Sequence, residues 1–197
     1  MVSIVKIENE ITVLVTSSFE ELHNKLIDYG FTIKDRYIAN DIYMINKDID
    51  ISKLDTLDIL KKCIIVREIT GIKKVLLYKY KEYDNNGDIL VNGKIECPIE
   101  DISKAIKFME AINFKKLIEI HDKCTEYCNF EIELIVQDVN DEYLFFEAEE
   151  ECRHINKKFP SIEEIKETIN KYDLPFNRNN YFVKKAELIL NKELKRK

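Results

Sequence analysis

Apolar and polar positions change period along this chain, and the changes mark the elements. From Lys6 to Val15 they alternate: Ile7, Ile11, Val13 and Val15 fall on one side and Lys6, Glu8, Glu10 and Thr12 on the other, as in a strand with one polar face. Ser17 and Ser18 then offer an N-cap to a helix carrying Phe19, Leu22, Leu26 and Ile27, with Gly30 as its stop signal. Extended stretches follow at Phe31 to Ile33, Tyr37 to Ile45, Cys63 to Ile69, Val75 to Tyr83 and Ile89 to Cys97. Thr70-Gly71 and Asp84-Asn85-Asn86-Gly87-Asp88 mark turns between some of them, the spacing of an antiparallel meander. Asp48 to Lys62 reads as a loop with a helical turn or two.

The second half repeats the opening. After Cys97-Pro98, Ile102, Ala105, Ile106, Met109 and Ile112 form a helical stripe, followed by strands at Leu117 to Asp122, Glu126 to Gln137 and Tyr143 to Glu149. Helices are expected at Ile162 to Tyr172 and, after Pro175, at Tyr181 to Lys195. A strand-helix-strands unit used twice, with charge on the second face of several strands, predicts an α+β chain: one closed antiparallel β-barrel with a polar interior and helices packed outside. The expectation is one domain over residues 1–197, with the helices of 162–195 on the barrel.

Composition narrows the function. Among 197 residues, Lys plus Arg is 31 and Asp plus Glu 37, giving a net charge of -6 that disfavours a nucleic-acid partner. Four Gly and three Pro leave little material for Gly-rich phosphate loops. Lys6, Glu8 and Glu10 interrupt the first apolar stretch, and no apolar run is long enough for a membrane span, so a cytoplasmic protein without a membrane partner is expected. Five cysteines fit reduced thiols better than a disulfide framework. His121, Cys124 and Cys128, with Cys152 and His154 further on, lack the two tight pairs of a structural zinc site.

The order of elements and several segments resemble the CYTH family, the triphosphate tunnel metalloenzymes, which include class IV adenylyl cyclases, thiamine triphosphatases and inorganic triphosphatases. The resemblance runs from about Val5 to Leu190. Asn40-Asp41-Ile42-Tyr43 is similar to the family's D-x-Y strand, Ile64-Ile65-Val66-Arg67-Glu68 to L-R-I-R-E, and Val75-Leu76-Leu77-Tyr78-Lys79 to L-T-Y-K. Val139 through Glu149 resembles V-x-x-L-G-x-F-x-E-x-E.

The resemblance implies a tunnel in which Arg and Lys neutralise a triphosphate while carboxylates hold Mg or Mn. It places Arg67 and Lys79 on phosphate, with Lys81 on the same strand face, and Glu147 and Glu149 on the metal with Glu8 and Glu10 from the first strand. Glu96, Glu133 and Lys123 are further candidates. The implied activity is metal-dependent hydrolysis of a triphosphate-containing small molecule or inorganic triphosphate; conversion of ATP to cyclic AMP is the alternative in the same tunnel, and a homodimer is left open.

Departures from the family pattern support a third reading, a non-catalytic binder of polyphosphate or nucleotide. The E-x-E-x-K signature meets either Glu8-x-Glu10-x-Thr12 or Glu10-x-Thr12-x-Leu14, without its Lys in both registers. The first Arg of L-R-I-R is Ile65, and the acidic residue expected before Val139 is Gln137. Without the resemblance, Glu147 and Glu149 would read as a solvated strand running into Glu150 and Glu151, and Arg67 and Lys79 as snorkelling strand residues.

Overall fold

The computed structural model describes residues 10–83 and 89–195, with side chains given for 10–80 and 93–195. Eight strands form one sheet: β1 Glu10–Leu14, β2 Thr32–Asn46, β3 Ile64–Ile69, β4 Lys73–Tyr83, β5 Ile89–Pro98, β6 Phe114–Cys128, β7 Glu133–Val139 and β8 Tyr143–Glu149. Two short strands, β9 Glu151–Cys152 and β10 Lys157–Lys158, pair with each other. The helices are α1 Phe19–Asp28, α2 Thr56–Lys61, α3 Ile102–Ala111, α4 Ile162–Asn170 and α5 Lys185–Lys195. None is long and apolar enough to cross a membrane among the described residues.

The strand order is β1-β8-β7-β6-β2-β3-β4-β5. Neighbours β1/β8, β8/β7, β7/β6, β2/β3, β3/β4 and β4/β5 are antiparallel. The α+β class and the antiparallel meander stand, but closure does not: among the described residues the order ends at β1 and β5. The far edge of β1 pairs with the chain's own C-terminal segment. Thr12 N donates to Tyr181 O at 3.0 Å, and Val183 N donates to Thr12 O at 2.9 Å. The helix expected from Tyr181 therefore starts only at Lys185, because residues 181–183 spend their backbone groups on β1.

Two further corrections concern strand limits. The stretches expected at Phe31 to Ile33 and Tyr37 to Ile45 join in one long strand, Thr32–Asn46, rather than forming two pieces. Glu126 to Gln137 is not one strand: it breaks at Asn129-Phe130, where Asn129 Oδ1 accepts from the backbone of Glu131 at 2.8 Å and Ile132 at 3.0 Å. That side-chain turn outcompetes the ladder and leaves Phe130 83% exposed, although it shares the parity of the buried Ile132, Leu134 and Val136.

Helix starts follow the capping chemistry in the sequence. Ser18 Oγ accepts from Glu21 N, Asp101 Oδ1 from Lys104 N and Ser161 Oγ from Glu164 N, each meeting a donor that the first turn leaves open. The β7–β8 turn uses Asn140 and Asp141 at φ 55° and 54°, the left-handed pair that a tight hairpin requires.

The chain divides into two compact units. The first holds Ala39–His121 and the stretch from Lys185; the second holds residues 10–38 and Asp122–Lys184. The boundaries fall inside β2 and β6.

In the first unit one sheet face packs on α3, with Met44, Val66, Ala105 and Met109 as its buried core. On the other side α2 packs against β4 and α5, and Thr56 Oγ1 donates to Asn191 Oδ1 at 2.6 Å. In the second unit the core lies between one sheet face and helices α1 and α4. Ile11, Val13, Tyr127, Leu134, Val136, Phe146 and Ala148 from the strands meet Leu22, Leu26, Ile165 and Ile169. In the first unit the opposite face carries Asp41, Arg67 and Glu96 together with the buried Tyr43, Ile65, Val75 and Leu77.

Candidate functional site

In the first unit, register places Asp41, Arg67, Lys73, Lys79, Lys94 and Glu96 on one sheet face. Arg67 stands opposite Asp41 and forks onto it: Nε donates to Oδ1 at 2.6 Å and Nη2 to Oδ2 at 2.5 Å. Asp41 is 6% exposed, so the guanidinium is what makes its burial affordable. Lys73 Nζ donates to both oxygens of Glu96, at 2.9 and 2.8 Å, and Lys94 Nζ lies 3.9 Å from the same carboxylate. Lys79 is the register partner of Lys94, which sets two cations side by side across β4 and β5.

The electrostatics agree with this crowding. Burial alone would raise the Glu96 carboxyl, but the Lys73 hydrogen bonds and the charges of Lys73, Lys94 and Arg67 outweigh it and hold it below the ordinary range. The Tyr43 phenol, on the same face, is pushed up by burial with Asp41 adding to the effect, so it stays protonated. Among the described side chains, four basic against two acidic make this face cationic.

Arg67, Lys79 and Glu96 thus share one sheet face. Lys81 lies in β4 opposite Asn92, two residues beyond Lys79, and its side chain lies outside the described set. Ile65, where the family pattern has Arg, is 2% exposed and packs in register between Tyr43 and Leu77. An apolar residue there extends the core at the expense of one cation.

The second unit carries a face of opposite character. Opposite its apolar core, register aligns Glu10 and Thr12 of β1, Glu147 and Glu149 of β8, Glu133 and Gln137 of β7, and Cys124 and Glu126 of β6. Glu10 stands opposite Glu149 and Thr12 opposite Glu147. Gln137 Nε2 donates to Glu147 Oε2 at 2.8 Å, and Thr12 Oγ1 donates to Glu147 Oε1 at 3.3 Å. Burial raises the Glu126 carboxyl, with Asp35 and Glu133 adding to it against His154 and Arg153. It also raises the Tyr37 phenol, where Cys124, Glu126 and Glu147 add to the effect.

The remaining candidates separate. Glu133 is occupied locally: it accepts from the backbone of Arg153 at 3.0 Å and of His154, and His154 Nδ1 lies 3.2 Å away. Lys123 is on the opposite, outer face of β6, where it bonds Asp141 and lies 3.9 Å from Asp138. Glu8 lies outside the described residues. His121 Nδ1 is 2.5 Å from Asn40 Oδ1. Among the described residues no three His, Cys, Asp or Glu side chains converge as metal ligands.

Hard carboxylate oxygens two residues apart on one strand nevertheless suit Mg or Mn, which is commonly held by one or two carboxylates together with substrate phosphates rather than by an all-protein cage. Glu147 and Glu149 fit that donor set.

Several of these roles escaped the sequence. Asp41 was visible within D-x-Y, but its bidentate bond to Arg67 requires the β2–β3 register. Lys73 and Lys94 join Arg67 through strand parity, which residue spacing gives only once the turns are known. Thr12 and Gln137 read as lost ligands, whereas both hold Glu147.

No family model matches the sequence, and no curated protein matches it. Solved structures do match. The PH1819 protein of Pyrococcus horikoshii is 20% identical with a TM-score of 0.64, over 94% of this chain and 99% of that one. A candidate adenylate cyclase of Vibrio parahaemolyticus is 10% identical with a TM-score of 0.61, over 94% and 98%. A candidate adenylyl cyclase of Hippeastrum, with a dominant triphosphatase activity, is 13% identical with a TM-score of 0.60, over 95% and 96%. This chain therefore has the fold of those proteins, and the CYTH resemblance in its motifs holds at the level of fold.

Proposed function

We propose that this protein binds a triphosphate-bearing small molecule, or inorganic triphosphate, together with Mg or Mn and hydrolyses a phosphoanhydride bond. The observation that carries the reading is the cationic face, where Arg67, Lys73, Lys79 and Lys94 share one side of three adjacent strands. Its chemistry matches a polyanion, and Arg67 and Lys79 occupy the motif positions for phosphate ligands. Glu147 and Glu149, with Glu10 on the same face, are the residues to hold the cation. When bound, such a cation polarises a phosphoryl group toward an attacking oxygen. The side chains of this protein would neutralise the phosphates and keep the carboxylates oriented.

Fold alone does not select a reaction. Isothermal titration with tripolyphosphate and ATP, with and without Mg or Mn, run beside product analysis, tests the reading. Metal-dependent binding with release of orthophosphate, both lost in Glu147→Gln, is the expected result. Pyrophosphate plus cyclic nucleotide would replace hydrolysis by cyclisation. Absence of binding in every metal would overturn the triphosphate assignment.

A second reading, binding without turnover, is favoured by Ile65, whose packing between Tyr43 and Leu77 leaves no cation at that position. Saturable binding with no product of either kind would establish it.

A further inference from the structure

Both oxygens of Glu147 are held by neutral donors from the two neighbouring strands, Gln137 of β7 on Oε2 and Thr12 of β1 on Oε1. A carboxylate accepts only, so the amide nitrogen of Gln137 must face it and the orientation of that side chain is fixed. Gln137 is 5% exposed and Thr12 8%, so water is a poor substitute for either donor. Neutrality matters as much as position. A lysine at Thr12 would pair with Glu147 and compete with a metal for its oxygens, and a carboxylate at Gln137 would share a proton with it. An amide and a hydroxyl orient the group without themselves adding a charge beside it.

We propose that Gln137 and Thr12 are positioning residues that hold the Glu147 carboxylate ready for a divalent cation. The inference rests on the reading above that Glu147 is a metal ligand. Outer partners of metal ligands commonly change affinity by about 10- to 100-fold when removed, so the effect is large enough to measure.

The test is Mn²⁺ binding to the full chain, followed by the paramagnetic signal of free Mn²⁺, with and without tripolyphosphate. Wild type, Q137L, T12V, T12S and E147Q are compared, with thermal unfolding recorded for each. The expected result is Mn²⁺ affinity weakened about ten-fold in Q137L and less in T12V, with T12S restoring the wild-type value because it keeps the hydroxyl. Should Q137L fail to fold, the T12V and T12S pair decides the matter, together with the side-chain amide resonance of Gln137. That resonance should be displaced and protected from exchange in metal-free wild type and ordinary in E147L. If wild type binds Mn²⁺ and E147Q does not, while Q137L and T12V bind as wild type, positioning is overturned and the metal reading survives. If wild type binds no Mn²⁺, or E147Q binds it equally well, the metal reading falls and the inference falls with it.

Discussion

Arg67 and Asp41 face each other across β2 and β3 in a two-pronged bond, with the aspartate side chain 8% exposed and the arginine side chain 22%. The pair fixes the guanidinium plane in the middle of the cationic face. It also means that Arg67 would meet any anion as half of an ion pair.

Removing the aspartate should therefore harm the fold before it helps any ligand. Asp41→Ala is expected to cost about 2–3 kcal/mol in urea unfolding, somewhat below the penalty for a fully buried pair because Arg67 is partly solvated. The double variant Asp41→Leu with Arg67→Met should recover much of that loss, since it removes both charges. A double variant no more stable than D41A would show that the pair is not the source of the loss.

Two carboxylates give opposite pH dependences. Glu96 is held below its ordinary value of 4.5 in the folded protein, so its contribution is present above that pH and is lost as pH falls through the folded value. Lys73→Met should reduce this acid-side loss. Glu126 is raised by burial, so its contribution is fully present below its ordinary 4.5 and is lost as pH rises through the raised value. Glu126→Gln should accordingly stabilise the protein near neutrality and not in acid. Urea midpoints measured across the acidic and neutral range check both signs, and parallel curves for wild type and E126Q would contradict the second.

The pairing of the C-terminal segment with β1 predicts a backbone effect. Val183→Pro removes the N–H that reaches Thr12 O at 2.9 Å and should lower stability by about 1–3 kcal/mol. Val183→Ala, which keeps the N–H, should cost less. Hydrogen exchange should show faster labelling of β1 in V183P, and unchanged protection there would exclude the pairing in solution.

Thiol chemistry separates the cysteines. Cys97 is exposed, while Cys63, Cys124, Cys128 and Cys152 are buried. Burial also pushes the Cys63 thiol up to about 12, which suppresses its thiolate. A disulfide reagent should titrate Cys97 rapidly in the native protein and the buried thiols only on unfolding. Cys97→Ser should abolish the fast phase.

Local order was written into the sequence. The strand alternation of Ile11 and Val13 against Glu10 and Thr12, the caps Ser18, Asp101 and Ser161, and the helical stripe of Ile102, Ala105, Ile106 and Met109 each rest on interactions within a few residues, so the pattern alone fixes them. The motif order extended this to the fold, and strand parity put Lys79 with Lys81 and Glu147 with Glu149 on common strand faces, because residues two apart on one strand point the same way.

What only the tertiary structure decided depends on partners distant in the chain. Residues 181–183 look helical in isolation, yet they pair with β1, because its far-edge backbone groups need partners and the segment supplies them. Glu126 to Gln137 alternates like one strand, yet the Asn129 side chain captures the backbone there and turns it. Asp41 reaches Arg67, and Gln137 and Thr12 reach Glu147, through strand registers, and a shift of one residue would send those side chains to the opposite face. Composition and spacing name the acids, amides and cations; register determines which of them meet.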